Sequence, residues 1–465
     1  MRNLGLMLIA SLLILAVRAE SNVTVTIDAS KPGVAIPSDF LGVSYETRMA
    51  LAKNGVHYFR PDNAPLLAMF KQLGIKSLRV GGNTVDKPEV DVPGEADIDS
   101  LFAFARAADV KVIYALRLKG AADPTDAARI AKYIWSKYKD QLTCFAIGNE
   151  PNMYVKEPAE YCALMKKFID AIDAPDVAKG AKFSGPGSTP GKVAWSRALA
   201  DEIGPSGKLA LITQHSYPGG RADRVAVPTT GRSAMLSDKW VEGYQKFYDS
   251  FVPATKKQHL GYRLEECNSF FNGGRDEVSN TFASALWALD FLYWWAEHDC
   301  AGVNFHTGDA VSMNETLSAP RYALFLTSED GYRVNPIAYA FKAFDVGSHG
   351  TLVSAKLKSE NEINLAAYAV RAGDALCVTL INKSPEDAPA DASINVIAGA
   401  GYSKAQSMLL ASAQGLAAKS GVTLGDSSID AKGGFPGRWQ DVVLTGPNLT
   451  VQLPAGTAMV VRLTH

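Results

Sequence analysis

The chain is poor in the residues that build disulfide frameworks and cysteine-ligated metal sites. Only five cysteines occur among 465 residues, the count is odd, and no two are spaced as Cys-x-x-Cys. This usage disfavours a disulfide-rich scaffold, although a single bridge stays open in an oxidising compartment. The sequence also lacks a glycine-rich nucleotide loop and a Gly-x-Ser-x-Gly elbow. We therefore expect neither a metal ion nor a cofactor.

An excess of charge of either sign is also missing. The 47 basic residues nearly balance the 48 acidic ones, for a net charge of −1. No global field would attract nucleic acid or an anionic membrane, so a small or locally charged ligand fits better.

Long apolar runs are absent except at the start, where residues 4–17 follow Arg2 and precede Ala19. This pattern predicts a signal peptide over residues 1–19, with a membrane anchor as the alternative. No later segment is apolar enough to span a bilayer. The prediction is thus a secreted or periplasmic protein without a membrane span after signal cleavage.

What the sequence does contain is a regular alternation of short apolar strands and amphipathic helices over residues 36–345. The eight predicted strands cover residues 41–45, 77–80, 110–116, 144–147, 182–185, 210–214, 261–264 and 302–305. Eight such units in about 300 residues favour an α/β fold with a (β/α)₈ TIM barrel. A doubly wound open sheet is the alternative, but it would want a nucleotide loop after its first strand.

The pattern changes after residue 345. Residues 346–465 carry period-two strands, such as 363–370 and 458–463, separated by Gly, Ser, Pro and Asp. They predict a C-terminal antiparallel β-sandwich domain. The N-terminal stretch 20–35 also alternates and is expected to add a strand to that sandwich.

Two glutamates stand directly after predicted strands, where the active site of a barrel enzyme lies. Glu150 follows the fourth strand in Gly148-Asn149-Glu150-Pro151, and Glu266 ends the seventh. Glycoside hydrolysis needs such a carboxylate pair, one to protonate the leaving oxygen and one to attack the anomeric carbon. Each glutamate alone would be weak evidence, because most glutamates are solvated surface groups.

Glu265 competes with Glu266 for the second position. Successive strand residues point to opposite faces, so only one of the two should enter the cavity. The Asn268-Ser269 pair that follows favours Glu266.

These motifs resemble the clan A glycoside hydrolases, and within them family 79, the β-glucuronidases and heparanase-like enzymes. The resemblance rests on the segments 41–46, 78–83, 145–152 and 266–269, and it covers nearly the whole chain after residue 19. It implies a retaining hydrolase acting on a β-glucuronide or a uronic-acid-containing glycan, with Glu150 as acid/base and Glu266 as nucleophile.

The resemblance also implies binding roles. Asn149 would hydrogen-bond the sugar 2-hydroxyl, and Tyr217 would hold the nucleophile. Glu46 and Asp86 match acidic residues that accept hydrogen bonds from sugar hydroxyls. For each of these residues an ordinary packing or surface role is the alternative.

Two polar residues within the predicted barrel strands also need partners. Arg79 lies between apolar residues of the second strand, and a buried arginine must be paired. It is predicted either to support a catalytic carboxylate or to form a structural ion pair. His306 ends the eighth strand, where it would line the pocket or serve as a structural histidine.

Specificity for a glucuronide requires hydrogen-bond donors for its carboxylate. The turn at Asn272, Gly273 and Gly274 is predicted to present backbone N–H groups. Phe271 stands where a tyrosine hydroxyl would be expected, and Tyr322 or Tyr332 would supply the missing hydroxyl. The alternatives are a retaining hydrolase of a neutral β-glycoside and a non-catalytic carbohydrate-binding protein.

Overall fold

The structure is a computed structural model that describes residues 19–120, 123–313 and 316–465. The predicted signal peptide falls almost entirely outside these residues. None of the helices in the described ranges is long and apolar enough to cross a membrane.

The first of the two architectural units is a closed barrel of eight parallel strands, each paired with its neighbour in chain order. Its strands are β2 (Leu41–Glu46), β3 (Ser77–Gly81), β4 (Lys111–Leu116), β5 (Leu142–Ile147), β6 (Phe183–Ser188), β7 (Leu209–Ser216), β8 (Gly261–Cys267) and β9 (Val303–His306). The circle closes because β9 pairs with β2. The TIM-barrel prediction is therefore confirmed, and the open doubly wound sheet is excluded.

Helices surround the barrel because their apolar faces cover the outer side of its strands. They are α1 (Ala64–Gln72), α2 (Glu95–Ala108), α3 (Thr125–Tyr138), α4 (Pro158–Ile172), α5 (Ala194–Ile203), α6 (Pro228–Leu236), α7 (Asp238–Lys257), α8 (Phe282–Glu297) and α9 (Ala338–Gly347). In α3, for example, the buried residues Ala127, Ile130, Ala131 and Ile134 recur at helical spacing on one face.

The second unit is a strand-rich sheet domain. It contains β1 (Ala19–Ala35), β14 (Thr351–Ser359), β15 (Leu365–Ala372), β16 (Ala375–Asn382), β17 (Ala390–Ile397), β18 (Lys404–Ser412), β19 (Val422–Leu424), β20 (Gln440–Val442), β21 (Leu444–Thr445), β22 (Asn448–Leu453) and β23 (Thr457–Thr464). Apolar residues of β1, β16, β17, β22 and β23 share one core. The pairing is antiparallel except between β1 and β17, which run parallel.

Two short hairpins complete the strand list in the loop that follows β9. They consist of β10 (Val311–Met313) with β11 (Thr316–Ser318), and of β12 (Phe325–Ser328) with β13 (Gly331–Val334). Both come directly after the last barrel strand, so they belong to the loops at the carboxyl ends of the strands.

Helix α8 joins the two units. It is apolar on all sides, and its residues 282–296 are buried, as expected for a helix covered on both faces. Its buried acidic residue, Asp290, forms a 2.9 Å ion pair with Lys383, which follows β16 in the sheet domain. The hydroxyl of Tyr368 donates a second hydrogen bond to Asp290. These contacts fix the sheet domain against the barrel.

Candidate active site

A cavity of about 620 Å³ opens at the carboxyl ends of the barrel strands. Its wall brings together six of the sequence-predicted residues: Asp86, Asn149, Glu150, Tyr217, Glu266 and Tyr322. His306 also lines it. Residues that are up to 236 positions apart in the sequence thus meet because parallel strands end at the same rim of a barrel.

Glu150 owes its position to a sharp turn after β5. Gly148 and Glu150 both have positive φ, at 76° and 45°, and the N–H of Glu150 donates to the carbonyl of Gly187. A non-glycine residue in the left-handed region is strained, and such strain is found preferentially at functional sites. The turn brings Oε1 of Glu150 to 2.9 Å from Nδ1 of His215.

Glu266 lies in a cage of donors. Arg79 donates to its Oε2 at 2.8 Å, and the hydroxyl of Tyr217 donates to its Oε1 at 3.0 Å. Nδ1 of His306 is 3.8 Å from Oε2. Burial alone would raise the pKa of Glu266, but His306, His215, Arg79 and Tyr217 outweigh it and lower that pKa well below its usual 4.5. The carboxylate is therefore held ionised.

Tyr217 keeps its proton in this setting. Burial, followed by the neighbouring Glu266 carboxylate, raises the pKa of Tyr217 well above 10.0. Its hydroxyl therefore donates to Glu266 and fixes the direction of the carboxylate.

Glu265 does not line the cavity, but simple alternation is not the reason. Gln214 pairs with Leu264 and His215 pairs with Glu266, so Glu265 is an extra residue in a β-bulge of β8. Its Oε1 accepts a 2.7 Å hydrogen bond from Thr213, and the side chain is buried. The bulge therefore buries both glutamates while giving only Glu266 to the cavity wall.

Arg79 connects the two parts of the site. Besides Glu266, its guanidinium donates to Oδ1 of Asn149 at 2.7 Å and to the hydroxyl of Ser44 at 3.0 Å. Asn149 in turn donates through Nδ2 to Asn83 at 3.0 Å. This fully buried arginine thus orients both Glu266 and Asn149, which meets the requirement that a buried arginine be paired.

Asp86 needs a correction. It lies at the edge of the cavity, but its oxygens accept hydrogen bonds from the backbone N–H groups of Leu118, Lys119 and Asn149 and from the hydroxyl of Tyr154. A carboxylate has about four lone-pair sites. Because these donors use them, Asp86 supports the loop that carries Asn149 rather than accepting from a sugar hydroxyl.

Glu46 needs the same correction. Only 1% of it is exposed, and it is not part of the cavity wall. Its oxygens accept from the N–H and hydroxyl of Thr84 and from the N–H of Ser312. Burial would raise the pKa of Glu46, but His306 and these N–H groups lower it. Glu46 therefore holds two rim loops and the ring of His306.

The residues of the turn after β8 have different positions relative to the cavity. Asn272 lines the cavity, whereas Gly273 does not. Gly273 has φ of 78°, and a Cβ placed on it would lie 1.7 Å from Sδ of Met313. The glycine therefore serves the backbone path of the turn.

Tyr322 and Tyr332, the two candidates for a cavity hydroxyl, lie in different places. The ring of Tyr322 lies in the wall, 6.3 Å from the rings of Tyr217 and His306. Tyr332 lies elsewhere: its hydroxyl accepts from Asn63, and its ring packs on Phe325. The expectation that Tyr332 supplies a cavity hydroxyl is wrong.

Comparisons with known proteins bear on the fold. No family model matches the chain. It is 24% identical over 261 residues to a β-glucuronidase of Aspergillus niger, which is 49% of this chain and 45% of that protein. A β-glucuronidase of Neurospora crassa is 25% identical over 193 residues, 36% of this chain and 34% of that protein. The chain thus spans less than half the length of the curated relatives it matches.

Solved structures match over the whole chain. A 4-O-α-L-rhamnosyl-β-D-glucuronidase of Fusarium oxysporum 12S has a TM-score of 0.71 at 16% identity, covering 94% of this chain and 99% of that one. A GH51 arabinofuranosidase of Xanthomonas axonopodis pv. citri has a TM-score of 0.70 at 15% identity, covering 96% and 100%. At such identities the likeness shows the fold. These neighbours are clan A glycoside hydrolases, and family 79 in particular stays a prediction.

Sequence reasoning assigned no role to two polar residues of the cavity wall, Asn83 and Arg221, nor to His215, which lies behind the wall. His215 contacts Glu150, Asn83 positions Asn149, and Arg221 joins the wall beside Asn272. The sequence carries a signal for His215, because it stands on β7 two residues before Tyr217, which directly follows the end of that strand. Asn83 and Arg221 lie in loops, where no periodicity marks direction.

A metal ion could enter this cavity only at the expense of existing contacts. Ligand atoms of Glu150, His215 and Glu266 lie within 4.8 Å of one another. Arg79 and Tyr217 already donate to Glu266, and His215 already pairs with Glu150. The positive guanidinium on Glu266 opposes a bound cation, so the arrangement favours proton and nucleophile chemistry.

Proposed function

We propose that this protein is a retaining glycoside hydrolase that cleaves β-glucuronides, with Glu150 as acid/base and Glu266 as nucleophile. The observation that carries the proposal is the carboxylate pair itself. Oxygens of Glu150 and Glu266 lie within 4.8 Å of each other. A retaining pair is separated by about 5–5.5 Å, whereas an inverting pair needs about 6.5–9.5 Å to admit a water molecule. The close approach of these two oxygens supports the short class.

The two environments suit the two roles. Glu266 is held ionised by Arg79, Tyr217 and the nearby histidines, as a nucleophile must be. Within the part of the chain that the structure describes, His215 is the one hydrogen-bond partner of the Glu150 carboxyl group, and the Glu150 side chain, part of the cavity wall, is 17% exposed. It is therefore placed to exchange protons with substrate and water.

The reaction then proceeds in two displacements. Glu150 gives its proton to the glycosidic oxygen while Glu266 attacks the anomeric carbon, which breaks the glycosidic bond and forms a glycosyl ester. Glu150 next takes a proton from water, which attacks the same carbon and releases Glu266. Asn149 has a second N–H available for the sugar 2-hydroxyl, a contact that strengthens in the transition state.

Mutants of the pair test the mechanism. We expect Glu150→Gln and Glu266→Gln each to lower turnover of an unactivated glycoside by at least about 10³-fold without unfolding the protein. Glu150→Ala should retain glycosylation of a substrate with a good leaving group, and azide should trap the intermediate as a β-glycosyl azide. Near-normal activity of either variant would remove the assignment. An α-anomer as the first product of a β-glycoside, seen by proton NMR, would refute retention.

The proposed preference for a glucuronide rests on the hydrogen-bond donors and positive charges of the cavity wall. Asn272 lines the wall, and its backbone N–H donates to no protein acceptor among the described residues. The side chains of Lys87, Lys119 and Arg221 add positive charge to the wall. Donors and cations of this kind favour a carboxylate. The curated relatives named β-glucuronidase support the same choice.

A comparison of matched substrates tests the sugar. We expect kcat/KM for nitrophenyl β-glucuronide, or its 4-O-methyl ether, to exceed that for the β-glucoside by at least about 100-fold, or about 2.7 kcal/mol. The alternative is a neutral β-glycoside, which the apolar Phe271 in the wall favours. A ratio near one would select that alternative while leaving the retaining mechanism in place. If neither substrate turns over but the sugars bind, the protein is a carbohydrate-binding protein.

A further inference from the structure

His215 presents one nitrogen to the acid/base and the other to the protein interior. The residue is fully buried on β7. Its Nδ1 lies 2.9 Å from Oε1 of Glu150, and Nε2 has no hydrogen-bond partner among the described residues. In a neutral imidazole one nitrogen donates and the other accepts, so whatever Nε2 pairs with decides what Nδ1 can do for Glu150.

Glu265 presents the complementary group. Its Oε1 accepts from Thr213, while Oε2 is buried and has no partner in the described part of the chain. A Cβ placed on Gly187 would lie 2.2 Å from Oε1 of Glu265 and 3.1 Å from Nε2 of His215. The carboxylate and the ring nitrogen thus face the same narrow space, which exists because residue 187 is a glycine.

Leaving both groups unpaired is costly. A buried polar group without a hydrogen bond loses about 1–3 kcal/mol, and a charged group loses more. The two side chains do not reach each other directly. One water molecule between an N–H on Nε2 and a carboxylate oxygen would satisfy both.

We propose that Glu265 is a positioning residue for the acid/base, acting through His215. By accepting the hydrogen bond of Nε2–H through the bridging water molecule, Glu265 fixes the tautomer of His215 in which Nδ1 is an acceptor. Nδ1 then accepts a hydrogen bond from the carboxyl O–H of Glu150, which keeps Glu150 protonated and oriented for the first step. This inference rests on the proposed hydrolase function. Glu265 touches no substrate, and the proton balance is unchanged, because Glu150 alone gives and regains the proton.

Other charged groups facing His215 do not supply this effect. Glu266, on the same strand as Glu265, has Oε1 3.8 Å from Nδ1, but that oxygen already accepts from Tyr217. The β6 residue at this space, Gly187, has no side chain. Glu265 is thus the ionisable group placed to set the proton on Nε2.

The isosteric variant Glu265→Gln tests the proposal. The Gln amide would donate to Nε2 and reverse the tautomer, so that Nδ1–H donates to Glu150 and favours its ionised form. We expect kcat/KM on an alkyl β-glucuronide to fall by about 30-fold, within the range of general acid catalysis. A dinitrophenyl glucuronide, whose leaving group needs no proton, should change by less than about threefold. The basic limb of the alkyl pH profile should move to lower pH.

Two further variants complete the kinetic design. Ser184→Ala, a buried change on β6 whose hydroxyl has no hydrogen-bond partner among the described residues, should keep the wild-type dependence on leaving group. Glu265→Asp keeps the carboxylate and should retain the alkyl activity within about fivefold. It also carries the test if the Gln variant fails to fold. An equal loss on both substrates in Glu265→Gln would show a merely structural role and overturn the proposal.

Nitrogen-15 NMR gives a readout independent of turnover. The signals of His215 are assigned by their loss in His215→Asn. We expect the proton on Nε2 in the wild type and in Glu265→Asp, and on Nδ1 in Glu265→Gln. The same tautomer in wild type and Gln variant would overturn the proposal. Absence of turnover of any glycoside by the wild type would instead refute the proposed function, while the tautomer measurement still reports on the pairing.

Discussion

At the scale of single residues, the cavity is organised by charge. One fully buried arginine and two histidines surround Glu266. Glu150, by contrast, pairs with one side chain among the described residues, that of His215. The two carboxylates thus lie in different surroundings, and those of Glu266 lower its pKa. This separation of environments is the property that assigns acid and nucleophile in a pair of glutamates.

His306 provides a test of that separation. Burial would lower its pKa, but the carboxylates of Glu266 and Glu46 outweigh burial and raise the pKa of His306 above 6.5. The ring is therefore a cation at acidic pH, where it stabilises ionised Glu266. In His306→Asn the pKa of Glu266 should rise toward 4.5, so the acidic limb of kcat/KM should move to higher pH.

The measurement is a pH–rate profile on an aryl glucuronide. At about pH 3.5, one unit below the ordinary carboxyl pKa of 4.5, we expect kcat/KM of His306→Asn to fall by up to about tenfold, or about 1.4 kcal/mol. The control is His349→Asn, whose side chain is 75% exposed and pairs with Asp345 outside the cavity. An acidic limb that stays in place would show that His306 does not stabilise the nucleophile.

At the scale of secondary structure, irregularities rather than regular elements position the chemistry. The bulge at Glu265 lets β8 present Glu266 to the cavity, and the positive-φ turn after β5 aims Glu150. The turn at Asn272 and Gly273 forms a third part of the wall. Bulges and strained turns near active sites redirect side chains in this way.

Gly273→Ala tests the third of these irregularities. The substitution forces an alanine to φ of 78° and into contact with Met313. We expect a loss of about 1–2 kcal/mol in stability from the left-handed conformation, increased by the clash. Displacement of Asn272 should lower kcat/KM on glucuronide more than on glucoside.

The control variant Gly55→Ala distinguishes the cost of the left-handed backbone from the cost of the clash with Met313. Gly55 also has φ of 78°, but a Cβ there meets nothing within 4 Å. Thermal unfolding and the glucuronide-to-glucoside ratio should be measured for both variants. Equal behaviour of the two would mean that the packing of Gly273 on Met313 has no role in the site.

At the scale of the whole molecule, the barrel and the sheet domain depend on each other through α8. A helix that is apolar on every side needs cover on every side, and the sheet domain supplies part of it. Within this buried contact region, Asp290 forms an ion pair with Lys383. It links the helix to the loop after β16.

Lys383→Met should therefore be strongly destabilising. Removing one partner leaves Asp290 as an uncompensated buried charge, a loss of about 3–5 kcal/mol in the free energy of unfolding. Replacing both partners, in Lys383→Met with Asp290→Leu, should recover most of that loss. The exposed pair of Lys256 with Asp299 is the control, and Lys256→Met should change stability by less than about 1 kcal/mol. Denaturant titrations report each value, and a near-neutral Lys383→Met would contradict the argument.

The sequence by itself determined the architecture and the identity of the carboxylate pair. Strands buried on both faces and helices with one apolar face leave strong signals in the sequence. The predicted ends of the eight barrel strands therefore differ from the observed ends by only a few residues. Position at the end of a strand then pointed to Glu150 and Glu266, because a barrel gathers all such ends at one rim.

Only the tertiary structure decided which residues near that pair line the cavity and which have their oxygens occupied by hydrogen bonds within the protein. Glu46 and Asp86 stand at strand ends like the catalytic pair, but their oxygens are consumed by N–H and hydroxyl groups from loops distant in sequence. Tyr332 and Tyr322 are indistinguishable as loop tyrosines, yet one packs away from the cavity. The β8 bulge likewise leaves no sequence signal. Hydrogen-bond saturation and loop paths depend on contacts between remote segments, and local periodicity carries no information about them.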